Sequence, residues 1–222
     1  MNVYFLVEGK CEFRLYPAWL SRLVPGMQRV RLSSQARADN YFIFSAQGYP
    51  SILGVHLPHA ITDVNAAGVY DYLVVVIDAE ERAVPDKIRE VEEAARRSPV
   101  TLKSARLAAV VQNRCLETWL LGNRKMLIRN PQSNDLRAYI KHYNVANDDP
   151  EAMPCPQEFR THAKFHLAYL KAMFEERGLS YRKNWPRPAA DASYLAELIR
   201  RVEESPGHLA SFARFLALCQ NF

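Results

Sequence analysis

The sequence has no long uninterrupted hydrophobic run. No window approaches the roughly 18 consecutive apolar residues that a membrane-spanning helix needs. Residues 1–8 lack the basic start, the long apolar middle and the small-residue cleavage site of a signal peptide. We therefore expect a protein that has no membrane partner and stays in the cytoplasm.

Cysteines are few and widely spaced. The four residues, Cys11, Cys115, Cys155 and Cys219, form no Cys-x-x-Cys pair. This spacing argues against a structural zinc site, and also against a disulfide framework in a chain of this size. We expect four free thiols, as in a reducing cytoplasm.

The sequence also contains no internal repeat, no low-complexity segment and no phosphate-binding Gly-Lys-Ser/Thr loop. Its 222 residues are 49% hydrophobic and 24% charged, as in ordinary globular proteins. The net charge of +5 is compatible with a polyanionic partner, but an excess this small does not identify one.

The most informative stretch is residues 72–81, Tyr-Leu-Val-Val-Val-Ile-Asp-Ala-Glu-Glu. The aliphatic run from Leu73 to Ile77 predicts a strand buried on both faces, as in the centre of an α/β sheet. Asp78 and Glu80 follow, and residues two apart on an extended chain project to the same side. Two carboxylates in that arrangement repel each other unless a cation, typically a hard divalent metal, lies between them. The stretch alone fits a solvated acidic loop equally well.

Strand and helix patterns alternate through the first 125 residues, which predicts a mostly parallel α/β sheet flanked by helices. An α-helical C-terminal lobe is predicted for residues 126–222, with a basic loop at 177–187. The predicted strands are 3–7, 30–32, 41–45, 72–77 and 106–111. The predicted helices lie within 13–23, 52–61, 85–97, 116–121, 135–143, 163–177, 191–204 and 205–218. Proposed helix caps are Ser51, Asn113, Asp191 and Ser205.

Further acids stand near the ends of the other predicted strands. Glu8 follows the first strand, Glu12 lies one turn into the next helix, and Glu117 lies in the first turns of the helix after the last strand. If the strands are parallel neighbours, these acids meet Asp78 and Glu80 at one edge of the sheet. Oxygen ligands of this number suit one or two Mg²⁺ or Mn²⁺ ions.

These motifs resemble the Toprim domain, the metal-binding module of topoisomerases, bacterial primases and several nucleases. The resemblance rests on Val7-Glu8-Gly9 with Glu12, and on an apolar strand that ends in Asp78-x-Glu80. Two further segments, residues 115–121 (Cys-Leu-Glu-Thr-Trp-Leu-Leu) and 181–183 (Tyr-Arg-Lys), are similar to motifs of small RloB-like and OLD-type Toprim nucleases, many of which sit in anti-phage defence loci. The Toprim pattern usually has a second aspartate where this chain has Glu80, which bears on the metal spacing.

The resemblance implies a role for each acid. Glu8 would be a metal ligand or a general acid/base, and Asp78 and Glu80 would hold the metal. Glu12 and Glu117 would complete a second metal site or the outer shell. The dipole of any helix also favours an acid in its first turn, so Glu12 and Glu117 keep a structural explanation as well.

The resemblance also implies that Lys183 approaches the reacting phosphate, where its charge would offset the negative charge that develops during cleavage. Lys183 belongs to a basic loop with Arg177, Arg182 and Arg187. That loop can equally bind nucleic-acid phosphates without a catalytic role.

Three functions remain open at this point. The first is a metal-dependent nuclease that cleaves phosphodiester bonds of DNA or RNA as an anti-phage defence effector. The second is a non-catalytic subunit that binds nucleic acid or a partner ATPase, because defence Toprim nucleases are often paired with an ATPase and this chain has no phosphate-binding loop of its own. The third is nucleotidyl transfer, which uses the same metals. Formation of a homo-oligomer is also left open.

Overall fold

The computed structural model describes residues 1–222, which form five β-strands and eight α-helices. The α/β class predicted from the sequence is confirmed. The strands are β1 (Asn2–Val7), β2 (Gln28–Arg29), β3 (Asn40–Ser45), β4 (Tyr72–Asp78) and β5 (Arg106–Gln112). The helices are α1 (Lys10–Leu23), α2 (Leu57–Ala67), α3 (Val84–Arg96), α4 (Leu116–Leu120), α5 (Asn134–His142), α6 (His162–Glu175), α7 (Ala192–Glu204) and α8 (Ala210–Cys219).

The five strands form one parallel sheet in the order β2-β3-β1-β4-β5. From β1 the chain first builds β2 and β3 on one side, and then crosses to build β4 and β5 on the other. The direction of winding therefore reverses between β1 and β4, where Val7 pairs with Val76. In open α/β sheets, ligands bind outside the carboxyl ends of the strands at such a reversal.

Both faces of the sheet are covered by helices. On β1, Val3, Phe5 and Val7 join the core beneath α1 and the C-terminal helices, whereas Tyr4 and Leu6 join the core beneath α2 and α3. Successive side chains of a strand project to opposite faces, so a strand covered on both sides must be apolar throughout. This explains the unbroken hydrophobic runs of β1 and β4.

The helical C-terminal part packs directly on the sheet part. The ring of Phe215 on α8 lies 5.7 Å from that of Trp119 and 5.1 Å from that of Tyr16, measured between centroids. The larger core cluster, of 37 buried residues, includes side chains from both parts. The predicted division at residue 125 falls in a short 3₁₀ turn, Arg124–Met126, and the two predicted parts share one hydrophobic core.

Some predicted local features differ from the structure. Residues 30–32 are not a strand. The short strand in this region, β2, lies at Gln28–Arg29. Ser51 provides no side-chain cap, and the helix there begins with a π-helical turn, Ile52–His56. The predicted cap at Asp191 is confirmed, since its Oδ1 atom accepts a hydrogen bond of 2.8 Å from the backbone N–H of Ser193.

The predicted start of the last helix at Ser205 is wrong. Ser205 ends α7, and α8 begins at Ala210, after Leu209. Leu209 is fully buried with a φ of +50°, and its backbone N–H donates to Asp149 at 3.0 Å. This tertiary contact, rather than local capping chemistry, sets where α8 begins.

The predicted cap at Asn113 is also wrong. Its side-chain amide donates to the carboxylate of Glu151 at 3.2 Å, and its backbone N–H donates to Ser211 Oγ at 3.1 Å. Asn113 thus connects the end of β5 to α8, and α4 begins later, at Leu116.

None of the eight helices combines the length and the hydrophobicity that a membrane crossing requires.

Candidate functional site

A cavity of about 380 Å³ opens at the carboxyl ends of β1 and β4. We call it the acidic cleft. Four carboxylates and one lysine among the predicted site residues line it: Glu8, Glu12, Asp78, Glu117 and Lys183. The parallel strand order brings these residues together, as the sequence analysis expected for strand-end acids.

Glu8 is held where β1 meets β4. Its backbone N–H donates to the carbonyl oxygen of Val76 at 3.0 Å, which extends the ladder between the two strands by one residue. Its carboxylate Oε2 accepts a hydrogen bond of 3.0 Å from the backbone N–H of Asp78. The Glu8 side chain therefore crosses directly to the acid at the end of the neighbouring strand.

Glu12 lies in the first turn of α1 and is only 5% exposed. Its carboxylate folds back towards Gly9, so closely that a Cβ atom at position 9 would lie 2.8 Å from Glu12 Oε2. A glycine at the start of α1 therefore leaves the space that Glu12 occupies. The positive end of the helix dipole favours the ionised form of this carboxylate.

Gln112, the last residue of β5, is a site residue that the sequence analysis missed. It is fully buried and pairs with Asp78 across the sheet. With its amide nitrogen turned towards the acids, Gln112 donates to Glu12 Oε1 at 3.2 Å and Asp78 Oδ1 at 2.5 Å, and its oxygen accepts from Tyr16 Oη at 3.0 Å. The strand-end rule that selected Glu8 and Asp78 could also have selected Gln112, had it been applied to neutral side chains.

Glu117, on α4, is 1% exposed and is reached by residues from the C-terminal part. Tyr181 Oη donates to its Oε1 at 3.0 Å, and Lys183 Nζ lies 3.5 Å from the same oxygen. Cys11 Sγ lies 3.2 Å from Tyr181 Oη. The segment 181–183 therefore completes a cleft whose other walls come from the sheet part.

Burial and mutual repulsion raise the pKa values of three of these acids. The pKa of Glu12 rises to about 7, through burial first, and then through the charges of Glu117 and Glu8. Burial, followed by the charges of Glu12, Glu8 and Glu117, holds the pKa of Asp78 well above its ordinary value. Burial and the charge of Glu80 raise the pKa of Glu8. The four carboxylates of the cleft therefore outnumber the two lysines that line it, Lys10 and Lys183.

Lys183 is the lysine of the cleft that lies against Glu117, and its side chain is 54% exposed. Burial alone would lower its pKa, but the charge of Glu117 and those of the other cleft residues raise the pKa above its ordinary value. Lys183 is therefore charged at neutral pH, at the boundary between the acidic cleft and solvent.

Glu80 does not line the cleft. It is exposed and has a φ of +51°, and its backbone is held by Arg114, whose carbonyl accepts the Glu80 N–H at 2.8 Å. Since β4 ends at Asp78 and the chain then leaves the extended conformation, the two-residue alternation no longer applies at Glu80. Its charge still raises the pKa of Glu8, which places Glu80 near the cleft but outside its wall.

The three predicted basic residues Arg177, Arg182 and Arg187 are exposed and do not line the cleft. The guanidinium group of Arg177 donates to the carbonyl oxygen of Met126 at 2.9 Å. Arg187 lies against the ring of Trp185. Only Lys183 of the basic loop reaches the acids.

The donors of the acidic cleft are carboxylate oxygens, the set that Mg²⁺ and Mn²⁺ prefer. No three acidic, histidine or cysteine side chains are arranged around one point as metal ligands, however. Hydrogen bonds hold Glu8 against Asp78, Glu12 against Gln112, and Glu117 against Tyr181. The chemistry of the cleft fits a hard divalent ion, and binding one requires some of these side chains to rotate towards it.

Fold and cleft together define a parallel α/β protein with an acidic cavity at the reversal point of its sheet. Comparisons with protein-family models, with curated proteins and with solved structures found no match. The Toprim resemblance therefore rests on the motif residues themselves.

Proposed function

We propose that this protein is a Mg²⁺- or Mn²⁺-dependent nuclease of the Toprim type that hydrolyses phosphodiester bonds of DNA or RNA. The observation that carries the proposal is the convergence of Glu8, Glu12, Asp78, Glu117 and Lys183 on one cleft. Metal binding would neutralise these closely packed acids, and phosphodiester hydrolysis is a reaction that such sites support.

Glu8, Asp78, Glu12 and Glu117 would hold one or two ions. A bound ion would supply positive charge to the phosphate and lower the pKa of water to a range in which it is nucleophilic. Glu8, held in place by the Asp78 N–H, would accept the proton of the attacking water. Lys183 would donate a hydrogen bond to a phosphate oxygen and offset the charge that develops there.

The test is metal-dependent cleavage by the purified protein. Wild-type protein with Mg²⁺ or Mn²⁺ should cleave single-stranded or double-stranded DNA or RNA, and EDTA should stop the reaction. Glu8→Gln and Asp78→Asn should each lower the rate at least 100-fold, since each removes a charge of the cleft. Glu92→Gln removes an exposed acid of α3 and should leave the rate unchanged. Equal cleavage by wild type and Asp78→Asn would identify a contaminant and overturn the proposal.

The second candidate is a non-catalytic subunit that binds nucleic acid or a partner ATPase through the helical part. The exposed guanidinium groups of Arg182 and Arg187 favour it, because such groups bind phosphates without a catalytic centre. Calorimetry with Mn²⁺ separates the two candidates. Absence of divalent binding by the wild type, together with nucleic-acid binding, would favour the second.

A role in anti-phage defence and a partner ATPase belong to both candidates and rest on the motif resemblance.

A further inference from the structure

Trp185 is a large aromatic side chain left in contact with solvent in the segment that carries Lys183. It is 47% exposed, whereas Trp19 and Trp119 are fully buried. It lies two residues beyond Lys183, and its backbone N–H donates to the carbonyl oxygen of Arg182 at 2.8 Å, in a tight turn. The same turn thus carries the exposed indole ring and the lysine that lies against Glu117.

A cation is stacked on this ring. The guanidinium carbon of Arg187 lies 4.6 Å from the ring centroid of Trp185, within the range of a cation–π contact. Arg187 forms none of the ion pairs in the structure, so its charge remains available. The contact restricts the orientation of the ring while about half of the Trp185 residue surface remains exposed.

Arg187 also lines a second cavity, of about 520 Å³, beside the start of α7. Two carboxylates of this cavity already have partners. Asp191 caps α7, and Glu197 is paired with Lys125. The other two cations of the cavity are engaged, Lys125 with Glu197 and Arg177 with the carbonyl oxygens of Met126 and Lys125. Arg187 has no such partner and is free to contact a phosphate. It lies four positions after Lys183, which limits their backbone separation to about 14 Å.

We propose that Trp185, with Arg187 stacked on it, is a subsite for an unpaired base next to the phosphate held in the acidic cleft, so that the substrate is single-stranded nucleic acid. This inference rests on the proposed function for the identity of the neighbouring phosphate. Indole rings stack on any base, because every base has a π-face. A base inside a duplex is already stacked and paired, so the exposed ring can take it only at the cost of unstacking. Arg187 would contact the phosphate that follows the stacked base.

The experiment measures binding without cleavage. Fluorescently labelled 12-nucleotide single-stranded DNA, single-stranded RNA and duplex DNA of one sequence are titrated in EDTA. Wild-type protein should bind the single strands at least 10-fold more tightly than the duplex. Trp185→Ala should weaken single-strand binding about 5- to 100-fold, and Trp185→Phe should keep most of the affinity. Comparison of the DNA and RNA strands shows which of the two the subsite prefers.

Salt dependence separates stacking from a structural defect. Trp185→Ala should lower the affinity and leave the slope of log Kd against log salt unchanged, whereas Arg187→Ala should lower both the affinity and the slope. Leu32→Ala, at an exposed position between β2 and β3, is the control and should bind like wild type. Each variant should unfold at the wild-type temperature.

The outcomes distinguish this inference from the proposed function. Wild-type affinity in Trp185→Ala, or equal binding of duplex and single strand, overturns the subsite even if cleavage depends on Asp78 and a metal. Loss of single-strand binding in Trp185→Ala supports the subsite even if no metal restores cleavage.

Discussion

At the scale of single residues, the acidic cleft places carboxylates where they disturb one another. Glu12 is 5% exposed and faces the charges of Glu117 and Glu8. Its hydrogen bond from Gln112 and its place at the start of α1 favour the ionised form, but burial and the neighbouring acids outweigh them. A site built in this way is less stable without a cation than with one.

This arrangement predicts a pH-dependent stability for the metal-free protein. The pKa of Glu12 is raised from 4.5 to about 7, so the folded protein binds this proton more tightly than the unfolded chain does. The stability that protonated Glu12 gives to the folded state is full below about pH 4.5 and is lost as the pH rises through about 7. Glu12→Gln should therefore unfold at a higher temperature than wild type at pH 8 in EDTA, by an amount that corresponds to at most about 3 kcal/mol. At pH 5 the difference should shrink towards zero.

Thermal unfolding followed by circular dichroism between pH 5 and pH 8 measures this effect. Glu92→Gln, on the exposed face of α3, should show no pH-dependent difference from wild type. A Glu12→Gln variant that is less stable than wild type at pH 8 would contradict the raised pKa of Glu12.

At the scale of elements, one buried arginine of α7 contacts several separate segments of the chain. Arg201 is 1% exposed, and its guanidinium group donates to the carbonyl oxygens of Gly122 at 3.2 Å, Val145 at 2.5 Å and Asp148 at 2.7 Å. Burial lowers the pKa of Arg201 to about 10. These carbonyls come from separate segments, so Arg201 joins α7 to each of them, in addition to the buried apolar side chains of the helix.

Replacing Arg201 should therefore cost far more than replacing its neighbour. Arg201→Met leaves three carbonyl oxygens without this donor, and we expect the free energy of unfolding to fall by about 3 kcal/mol. Arg200→Met removes a half-exposed arginine that pairs with Glu197 and Glu204, and should cost at most about 1 kcal/mol. Urea denaturation of the two variants gives the comparison. Equal losses would show that Arg201 does not hold α7.

At the scale of the whole molecule, the sheet part and the helical part depend on each other. Trp119 and Tyr16 pack on Phe215 of α8, and the Trp119 Nε1–H donates to Ser211 Oγ at 2.7 Å. The loop after β4 is joined to α6, since Glu81 accepts a hydrogen bond of 2.8 Å from the backbone N–H of His162. Neither part can lose its partner without exposing core side chains.

We therefore expect a single cooperative unfolding transition. Tryptophan fluorescence and far-UV circular dichroism should give the same urea midpoint, because the shared core couples the two parts. A fragment of residues 1–125 should not fold, since it would leave the face of the sheet beneath α8 uncovered. Two separate transitions, or a folded fragment, would show that the parts are independent domains.

Local patterns in the sequence were sufficient to identify the two central strands of the sheet and the acids at its edge. The apolar runs before Glu8 and Asp78 identified two central strands, because a strand covered on both faces has to be hydrophobic at successive positions. Parallel strands place their carboxyl ends at one edge, so the acids that follow them are neighbours. Glu12 and Glu117 were found in the same way, in helices that start from that edge.

The remaining site features were decided by tertiary structure. Glu80 lies outside the cleft because the chain turns after β4 and is held by Arg114. Tyr181 reaches Glu117 from 64 positions away in the sequence, brought there by helices that pack on the sheet. Gln112 lies at a strand end that the sequence indicates, but its contacts with two acids follow from the pairing of β5 with β4. Periodicity reports which side of an element is buried, whereas contacts between distant segments depend on how whole elements pack.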